Sequence, residues 1–112
     1  LLNGGELKSQ RVLSPLAVQR VLTPVVIGNQ SRALGWDMQT AYSAPKGDLL
    51  PQGSFGHTGF TGTSIWLDPT SRTYIILLSN RVHPNRNTSI TDLRAKLANI
   101  VAAGILPASE KR

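Results

Sequence analysis

The pattern of hydrophobic and polar positions gives its strongest local signal in residues 62–80, where it predicts a β-hairpin. Residues 62–68 and 73–80 are rich in β-branched and aromatic side chains, and the turn-forming segment 68–72 separates them. Two such runs joined by a short turn are typical of paired antiparallel strands. The second run is apolar at every position from Tyr74 to Leu78, which predicts a central strand covered on both faces.

A helix is predicted for residues 89–104. Ser89 is a favourable N-cap, and Asp92 three residues later forms an acidic variant of the capping box. An apolar stripe at helical spacing predicts the face that packs on the sheet. It consists of Ile90, Leu93, Leu97, Ile100, Val101 and Gly104. Arg94 and Lys96 fall away from this stripe, and its final glycine is the expected stop.

The N-terminal quarter of the chain predicts one short helix. Ser14 as N-cap and Pro15 at the first helical position favour a helix that ends before Pro24. Residues 6–13 suit a short extended loop or a weak hairpin. The opening segment, residues 1–5, is typical of the end of a helix with a C-cap glycine, so we expect the chain to start in the middle of a fold.

Together these elements predict an α+β fold. Strands near residues 33–38 and 54–60 add to the hairpin, so that three or more antiparallel strands pack against the C-terminal helix. The segment 39–53 is rich in proline and glycine and predicts a long surface loop. Loops of this length often border a functional site, and we expect this one to do so.

Composition and charge restrict the possible chemistry. The chain has 112 residues, of which 40% are hydrophobic and 16% charged, the balance of one small globular domain. No apolar run approaches the ~20 residues that cross a bilayer, so we predict no membrane span. The absence of cysteine excludes disulfides and a thiol nucleophile. His57 and His83 lie among scattered carboxylates, so we predict no metal site, and nothing in the sequence implies a cofactor.

The net charge of +6 raises nucleic acid as a partner. Residues 1–80 hold six Lys and Arg against four acids, and residues 81–112 hold six against two. No three basic residues are adjacent, and no aromatic interleaving or recognition motif accompanies them. We interpret the excess as a solvated basic face, so nucleic acid is not the expected partner.

A glycine-rich stretch, residues 53–63, precedes the predicted hairpin and holds the candidate chemistry. Four glycines in eleven residues let a ligand or another backbone come close to a strand edge. Threonine hydroxyls can hydrogen-bond a polar ligand, and His57 adds an imidazole to the stretch. The residues alone leave two interpretations open: a strand edge built for a ligand, or a glycine-rich turn in which His57 is merely packed.

Residues 57–59, His-Thr-Gly, followed by a hairpin and an amphipathic helix, resemble the third conserved element of serine β-lactamases and DD-peptidases. That element is usually Lys-Thr-Gly and lies on the strand that edges the active site. Residues 34–36, Leu-Gly-Trp, are similar to the strand that precedes it, and segments 55–69 and 77–81 follow the family's order. The resemblance extends to class C β-lactamases, penicillin-binding proteins and esterases. It implies that residues 1–112 are the C-terminal fragment of such a hydrolase domain.

The resemblance also implies roles for particular residues. The backbone N–H of Phe60 would be one oxyanion-hole donor, and the nucleophile's own N–H would be the other. His57, Thr58 and Gly59 would bind the substrate, a small-molecule or peptide acyl compound. A neutral imidazole cannot replace the permanent cation of lysine, so an esterase or peptidase is favoured over a β-lactamase. A periplasmic or extracellular location is implied as well.

The family's nucleophile motif, Ser-x-x-Lys, is matched in spacing only by Ser43 and Lys46. Pro45 lies where the motif needs a helix, so we reject Ser43 as the nucleophile. The Tyr-x-Asn or Ser-x-Asn element is missing too. The remainder of the same polypeptide would supply the nucleophile, and we predict that this chain alone is inactive. Two alternatives stay open: a non-catalytic homologue or binding module of the same fold, and a basic nucleic-acid-binding domain.

Overall fold

A computed structural model gives the fold and describes residues 1–105. In chain order the elements are β1 Glu6–Leu7, β2 Gln10–Arg11, α1 Pro15–Leu22, β3 Val25–Ile27, β4 Gln30–Ala33, β5 Trp36–Gln39, β6 Phe55–Thr58, β7 Ser64–Asp68, β8 Thr73–Leu77 and α2 Thr91–Ala103. The first two strands form a small hairpin. The other six form one antiparallel sheet whose spatial order follows the sequence. The predicted α+β class, an antiparallel sheet with a C-terminal helix, is confirmed.

Helix α2 covers one face of the sheet and forms the core with it. Trp66 of β7 is only 2% exposed and belongs to a cluster with Ile75 of β8 and Ala98 of α2. Leu50, from the loop before β6, completes the cluster. Truncation of a buried tryptophan costs about 3–5 kcal/mol, so this cluster fixes how α2 sits on the sheet.

The buried face of α2 differs from the predicted stripe. Leu93 and Ile100 of the stripe are 52% and 71% exposed. The inward positions are Arg94, Leu97, Ala98, Val101 and Ala102. These positions also follow helical spacing, but Arg94 is among them, contrary to the prediction. The reason is that its guanidinium finds carbonyl acceptors on the sheet, which the hydropathy of the helix does not anticipate.

The start of α2 differs as well. Ile90, not Ser89, occupies the N-cap position, and its side chain makes no capping bond. The Ser89 hydroxyl instead accepts a long bond from the Thr91 N–H, at 3.4 Å. The segment that precedes the helix is held by a residue outside it, because Arg81 donates to the Thr88 carbonyl at 2.9 Å.

Strand β8 is an edge strand of the described sheet, not the predicted central strand. Ile75 points into the core, whereas Tyr74, Ile76 and Leu78 are exposed. Successive side chains of a strand point to opposite faces, and α2 covers only one of them. A continuous apolar run therefore did not indicate burial on both faces in this part of the chain.

The N-terminal elements mostly follow the prediction. The Ser14 hydroxyl accepts a bond from the Ala17 N–H at 3.1 Å, with Pro15 opening the helix. The weak hairpin is present as β1 and β2. A second hairpin, β3 and β4, was not predicted. Its signal was the Gly28-Asn29 pair, because Gly28 adopts a φ of +61°, as tight hairpin turns require.

The predicted strand at 33–38 begins later, at Trp36, because residues 34–35 form the turn between β4 and β5. Gly35 in this turn has a φ of +77°. The long loop that follows contains a 3₁₀ turn at Ala44–Lys46. It is tied to α2, since Asn99 Oδ1 accepts bonds from the Asp48 and Leu49 N–H groups, at 2.8 and 3.1 Å.

Candidate active site

Strand β6 carries the candidate motif and lies between β5 and β7. Gly56 pairs with Asp37 on one side and with Trp66 on the other. A Cβ at Gly56 would lie 2.2 Å from the Ile65 carbonyl oxygen and 2.4 Å from the Trp66 ring. Glycine is therefore needed where the indole closes over the strand. This close packing fixes the strand immediately before the motif.

A cavity of about 530 Å³ adjoins the end of β6, within the size range of small-molecule sites. Thr58, Gly59 and Phe60 line one side of it, and Tyr42 and Pro45 line another. The predicted loop therefore does border this cavity. Further lining comes from Ala41, Ala44, Arg81, Ser89, Ile90, Thr91 and Arg94. The structure brings together three of the four predicted site residues here.

His57 lies apart from that cavity. Its side chain is exposed, and its Nδ1 lies 2.9 Å from the Thr58 carbonyl oxygen. It lines a second cavity of about 390 Å³ together with Ile65 and Ile76, and Thr58 and Gly59 line both this cavity and the main one. Because neighbouring strand residues face opposite ways, the imidazole and the Thr58 side chain project from opposite faces of β6.

Residues 59–63, which we call the site turn, connect β6 to β7. The Gly62 N–H donates to the Gly59 carbonyl at 3.1 Å, and the Gly59 N–H donates to the Thr63 carbonyl at 2.8 Å. Gly62 has a φ of +129°, and a Cβ there would lie 2.8 Å from the Ser79 carbonyl oxygen. The backbone groups that face each other across this turn are therefore hydrogen-bonded, and the turn needs glycine at position 62.

Two arginines outside the turn also bond its carbonyl groups. Arg94 Nη2 donates to the Gly59 and Thr63 carbonyls, both at 2.8 Å. Arg81 Nε donates to the Phe60 carbonyl at 2.6 Å, and its guanidinium carbon lies 4.5 Å from the centre of the Phe60 ring. Burial, together with the positive charge of Arg81, lowers the pKa of the Arg94 guanidinium. Arginine nevertheless keeps its charge at physiological pH.

Arg94 was not predicted to be a site residue. One signal was present, because Arg94 lies near the start of the predicted helix, where the helix dipole disfavours a cation. A basic residue at that place needs another source of stabilisation, and the two carbonyl groups supply it.

The backbone N–H of Phe60 has no acceptor among residues 1–105. The peptide unit is planar and trans, so the N–H of Phe60 points opposite to the carbonyl of Gly59. That carbonyl is bonded to Gly62 and Arg94. The Phe60 N–H is therefore directed out of the turn, away from Arg94.

Ser43 and Lys46 are occupied within their loop. The Ser43 hydroxyl donates to Asp37 Oδ1 at 2.9 Å and accepts from the Thr40 N–H at 2.8 Å. Lys46 Nζ donates to the Met38 carbonyl at 3.2 Å. These contacts hold the loop against β5.

Within residues 1–105, no group of three or more His, Cys, Asp or Glu side chains is arranged to hold a metal ion. In the same part of the chain, no helix combines the length and the apolar character needed to cross a membrane.

The profile of the Beta-lactamase family matches residues 1–100 of this chain. The chain therefore belongs to that family, within the β-lactamase-related serine hydrolases. The match covers both the glycine-rich strand and most of α2, so the family assignment includes the residues around the cavity.

Particular relatives come from Salmonella and carry the provisional name D-alanyl-D-alanine carboxypeptidase. The protein of Salmonella gallinarum is 33% identical over 79 residues. Those of Salmonella paratyphi B and Salmonella newport are 35% identical over 79 residues. In each case the match covers 68% of this chain and 17% of the relative. The chain thus corresponds to a small part of these proteins.

Proposed function

We propose that this chain forms one wall of an acyl-transfer active site in a longer serine hydrolase. Residues 1–112 are then the C-terminal part of the catalytic domain, and another part of the polypeptide supplies the nucleophilic serine. The observation that carries this proposal is the Phe60 N–H, which has no acceptor among residues 1–105 although Phe60 lines a cavity. A fixed backbone donor of this kind is what an oxyanion hole requires.

The proposed reaction is acyl transfer through a covalent intermediate. The serine oxygen adds to the carbonyl carbon of an ester or amide while its proton passes to a base, and the C=O π pair moves to the oxygen. The N–H groups of Phe60 and of the serine donate to this oxyanion. The oxyanion re-forms the carbonyl and expels an alcohol or amine, which takes the proton. Water then repeats these steps on the acyl-enzyme, releasing the acid and the serine.

A peptide or ester is the substrate class that we propose, in preference to a β-lactam. Residue 57 is histidine where β-lactamases usually have lysine, and its ring lies on the opposite face of β6 from the main cavity. No fixed cation is therefore supplied from position 57. The provisional names of the Salmonella relatives favour the peptidase over the esterase. Thr58 and Gly59 are the proposed substrate contacts, because they line the cavity beside Phe60.

The sharpest test removes the Phe60 N–H without removing the turn. Phe60 follows Gly59 in a turn closed by the bond from Gly62 to Gly59, and proline is favoured at that position. Phe60→Pro therefore deletes the donor, while Phe60→Ala deletes the ring and keeps the donor. In the full polypeptide that contains this chain, we expect Phe60→Pro to lower kcat about 10²–10³-fold below Phe60→Ala. The measurement is steady-state hydrolysis of an ester and of a D-alanyl-D-alanine peptide.

Two other results would separate the alternatives. Equal kcat values for the two variants would reject the oxyanion role of Phe60. A full polypeptide that neither turns over these substrates nor reacts with a serine-directed phosphonate would be a non-catalytic homologue. The 112-residue chain by itself is expected to give no turnover in the same assay, because it lacks the proposed nucleophile.

A further inference from the structure

We propose that Arg94 is a positioning residue, which sets the orientation of the Phe60 N–H by holding the carbonyl of Gly59. This inference rests on the proposed oxyanion role of Phe60. Arg94 lies on α2, 35 residues along the chain from Gly59. It does not need to touch the substrate in order to act, because the Gly59 carbonyl and the Phe60 N–H belong to one peptide unit.

The first support is the way in which Arg94 is buried. Its side chain is 8% exposed, and its Nε has no acceptor among residues 1–105. The ion pair found in that part of the chain joins Arg11 and Glu6, so no carboxylate there compensates Arg94. Burial of a charge without a counter-charge is unfavourable, and apolar residues often replace such groups without loss of stability. The placement of Arg94 is therefore better explained by what it holds than by packing.

The second support is the geometry of the bonds. One nitrogen, Nη2, bridges the carbonyls of Gly59 and Thr63, which stand at the two ends of the site turn. Rotation of the Gly59–Phe60 peptide would break the bond to Arg94. Because the peptide unit is rigid, the same bond keeps the Phe60 N–H directed out of the turn.

The third support is the rigidity of the element that carries Arg94. Ala98, one turn further along α2, is 1% exposed in the core cluster with Trp66. Asn99 of the same helix holds the loop that borders the other side of the cavity, through the Asp48 and Leu49 N–H groups. Helix α2 thus holds both sides of the cavity. Asn99 bonds the loop on one side, and Arg94 bonds the site turn on the other.

The experiment compares Arg94→Met, Arg94→Lys and Lys96→Met in the full polypeptide. Met keeps the approximate length of arginine without donors, Lys keeps a donor, and Lys96 is an exposed cation on the same helix. The readouts are kcat, KM and the affinity for a phosphonate transition-state analogue. We expect Arg94→Met to lower kcat and analogue affinity together by about 10–100-fold, with KM little changed, because small misplacements of catalytic groups cost about this much. Arg94→Lys should recover part of the loss.

A double variant tests the route of the effect. If Arg94 acts through the Phe60 N–H, Arg94→Met combined with Phe60→Pro should be no slower than Phe60→Pro alone, because the two changes remove the same interaction. A further loss in the double variant would overturn the inference. The inference would also be overturned if kcat and analogue affinity were the same in Arg94→Met as in Lys96→Met, whatever the change in Tm.

The two proposals can fail separately in this design. If Phe60→Pro matches Phe60→Ala, the oxyanion role fails. If Phe60→Pro is slow and Arg94→Met is not, the oxyanion role stands and only the positioning role is rejected.

Discussion

The turns that follow β6 and β7 join strands of the same sheet, but they are held in different ways. The site turn is bonded by Arg81, which lies 21 residues from its acceptor, and by Arg94, which lies 35 and 31 residues from its two acceptors. Residues 68–72, which we call the distal turn, are held mainly by the side chain of Asp68, a residue of the turn itself. Asp68 accepts bonds from the Thr70 N–H at 2.8 Å, the Ser71 N–H at 3.2 Å and the Ser71 hydroxyl at 2.5 Å.

This difference shows what a site turn gains from distant support. In the distal turn, the side chain of Asp68 occupies the backbone donors that follow it, so they are not available to a ligand. In the site turn, arginine donors occupy the carbonyls instead, and the Phe60 N–H is left without an acceptor among residues 1–105. Local support stabilises a turn, whereas support from a helix can also leave a donor free.

The largest expected effect on stability comes from Gly62→Ala in the site turn. A Cβ there would lie 2.8 Å from the Ser79 carbonyl oxygen at a φ of +129°. Strain and overpacking together should lower the free energy of unfolding by about 3 kcal/mol or more. Gly53→Ala is the matched control, since Gly53 has a φ of +94° but nothing within 4 Å of the added Cβ. Denaturant unfolding measures both, and equal losses would mean that contact with Ser79 does not constrain the turn.

The next effect is that of Asp68→Ala in the distal turn. Asp68 is buried and accepts three hydrogen bonds, so its loss should cost about 2 kcal/mol. Because bonds within the distal turn hold it, the substitution should not disturb the site turn. Measured below Tm, kcat of the full polypeptide should therefore stay within about twofold of the wild type, as is usual for distant sites. Asp68→Asn, which keeps one acceptor oxygen, should lose less. A tenfold fall in kcat for Asp68→Ala would break the contrast between the two turns.

The smallest effect is expected at Arg72, at the end of the distal turn. Its φ of +60° is left-handed, a conformation that asparagine tolerates better than most residues. Arg72→Asn relieves that strain but loses the exposed bond from Arg72 to Asn3. We expect the free energy of unfolding to change by no more than about 0.5 kcal/mol. A loss above 1 kcal/mol in thermal unfolding would show that the distal turn also depends on distant contacts.

Locally determined features were predicted from the sequence. The cap of α1 by Ser14 and the hairpin of β7 and β8 are present as expected. Both depend on residues close in sequence, whose preferences act in any context. The hairpin of β3 and β4 was missed although its turn signal, Gly28-Asn29, is equally local. Its strands are short and largely exposed, so hydrophobic periodicity did not mark them.

Features that depend on what covers a surface were predicted less well. The predicted buried face of α2 included Leu97 and Val101, which do pack on the core, but it left out Arg94 because hydropathy assigns arginine to solvent. Strand β8 was expected to be covered on both faces, but Ile76 and Tyr74 are exposed in the described chain. The motif at residues 57–59 was recognised, whereas the division of its side chains between two faces was not foreseen.

The sequence by itself determined the α+β fold class, the family resemblance and the identity of the glycine-rich strand, because each depends on residue types in a fixed order. Only the tertiary structure decided that Thr58, Gly59 and Phe60 meet a loop and a helix at one cavity, and that His57 faces elsewhere. It alone brought Arg94 to the carbonyl of Gly59. The physical reason is that a buried guanidinium needs carbonyl acceptors, and the folded sheet sets the positions of those that Arg94 bonds.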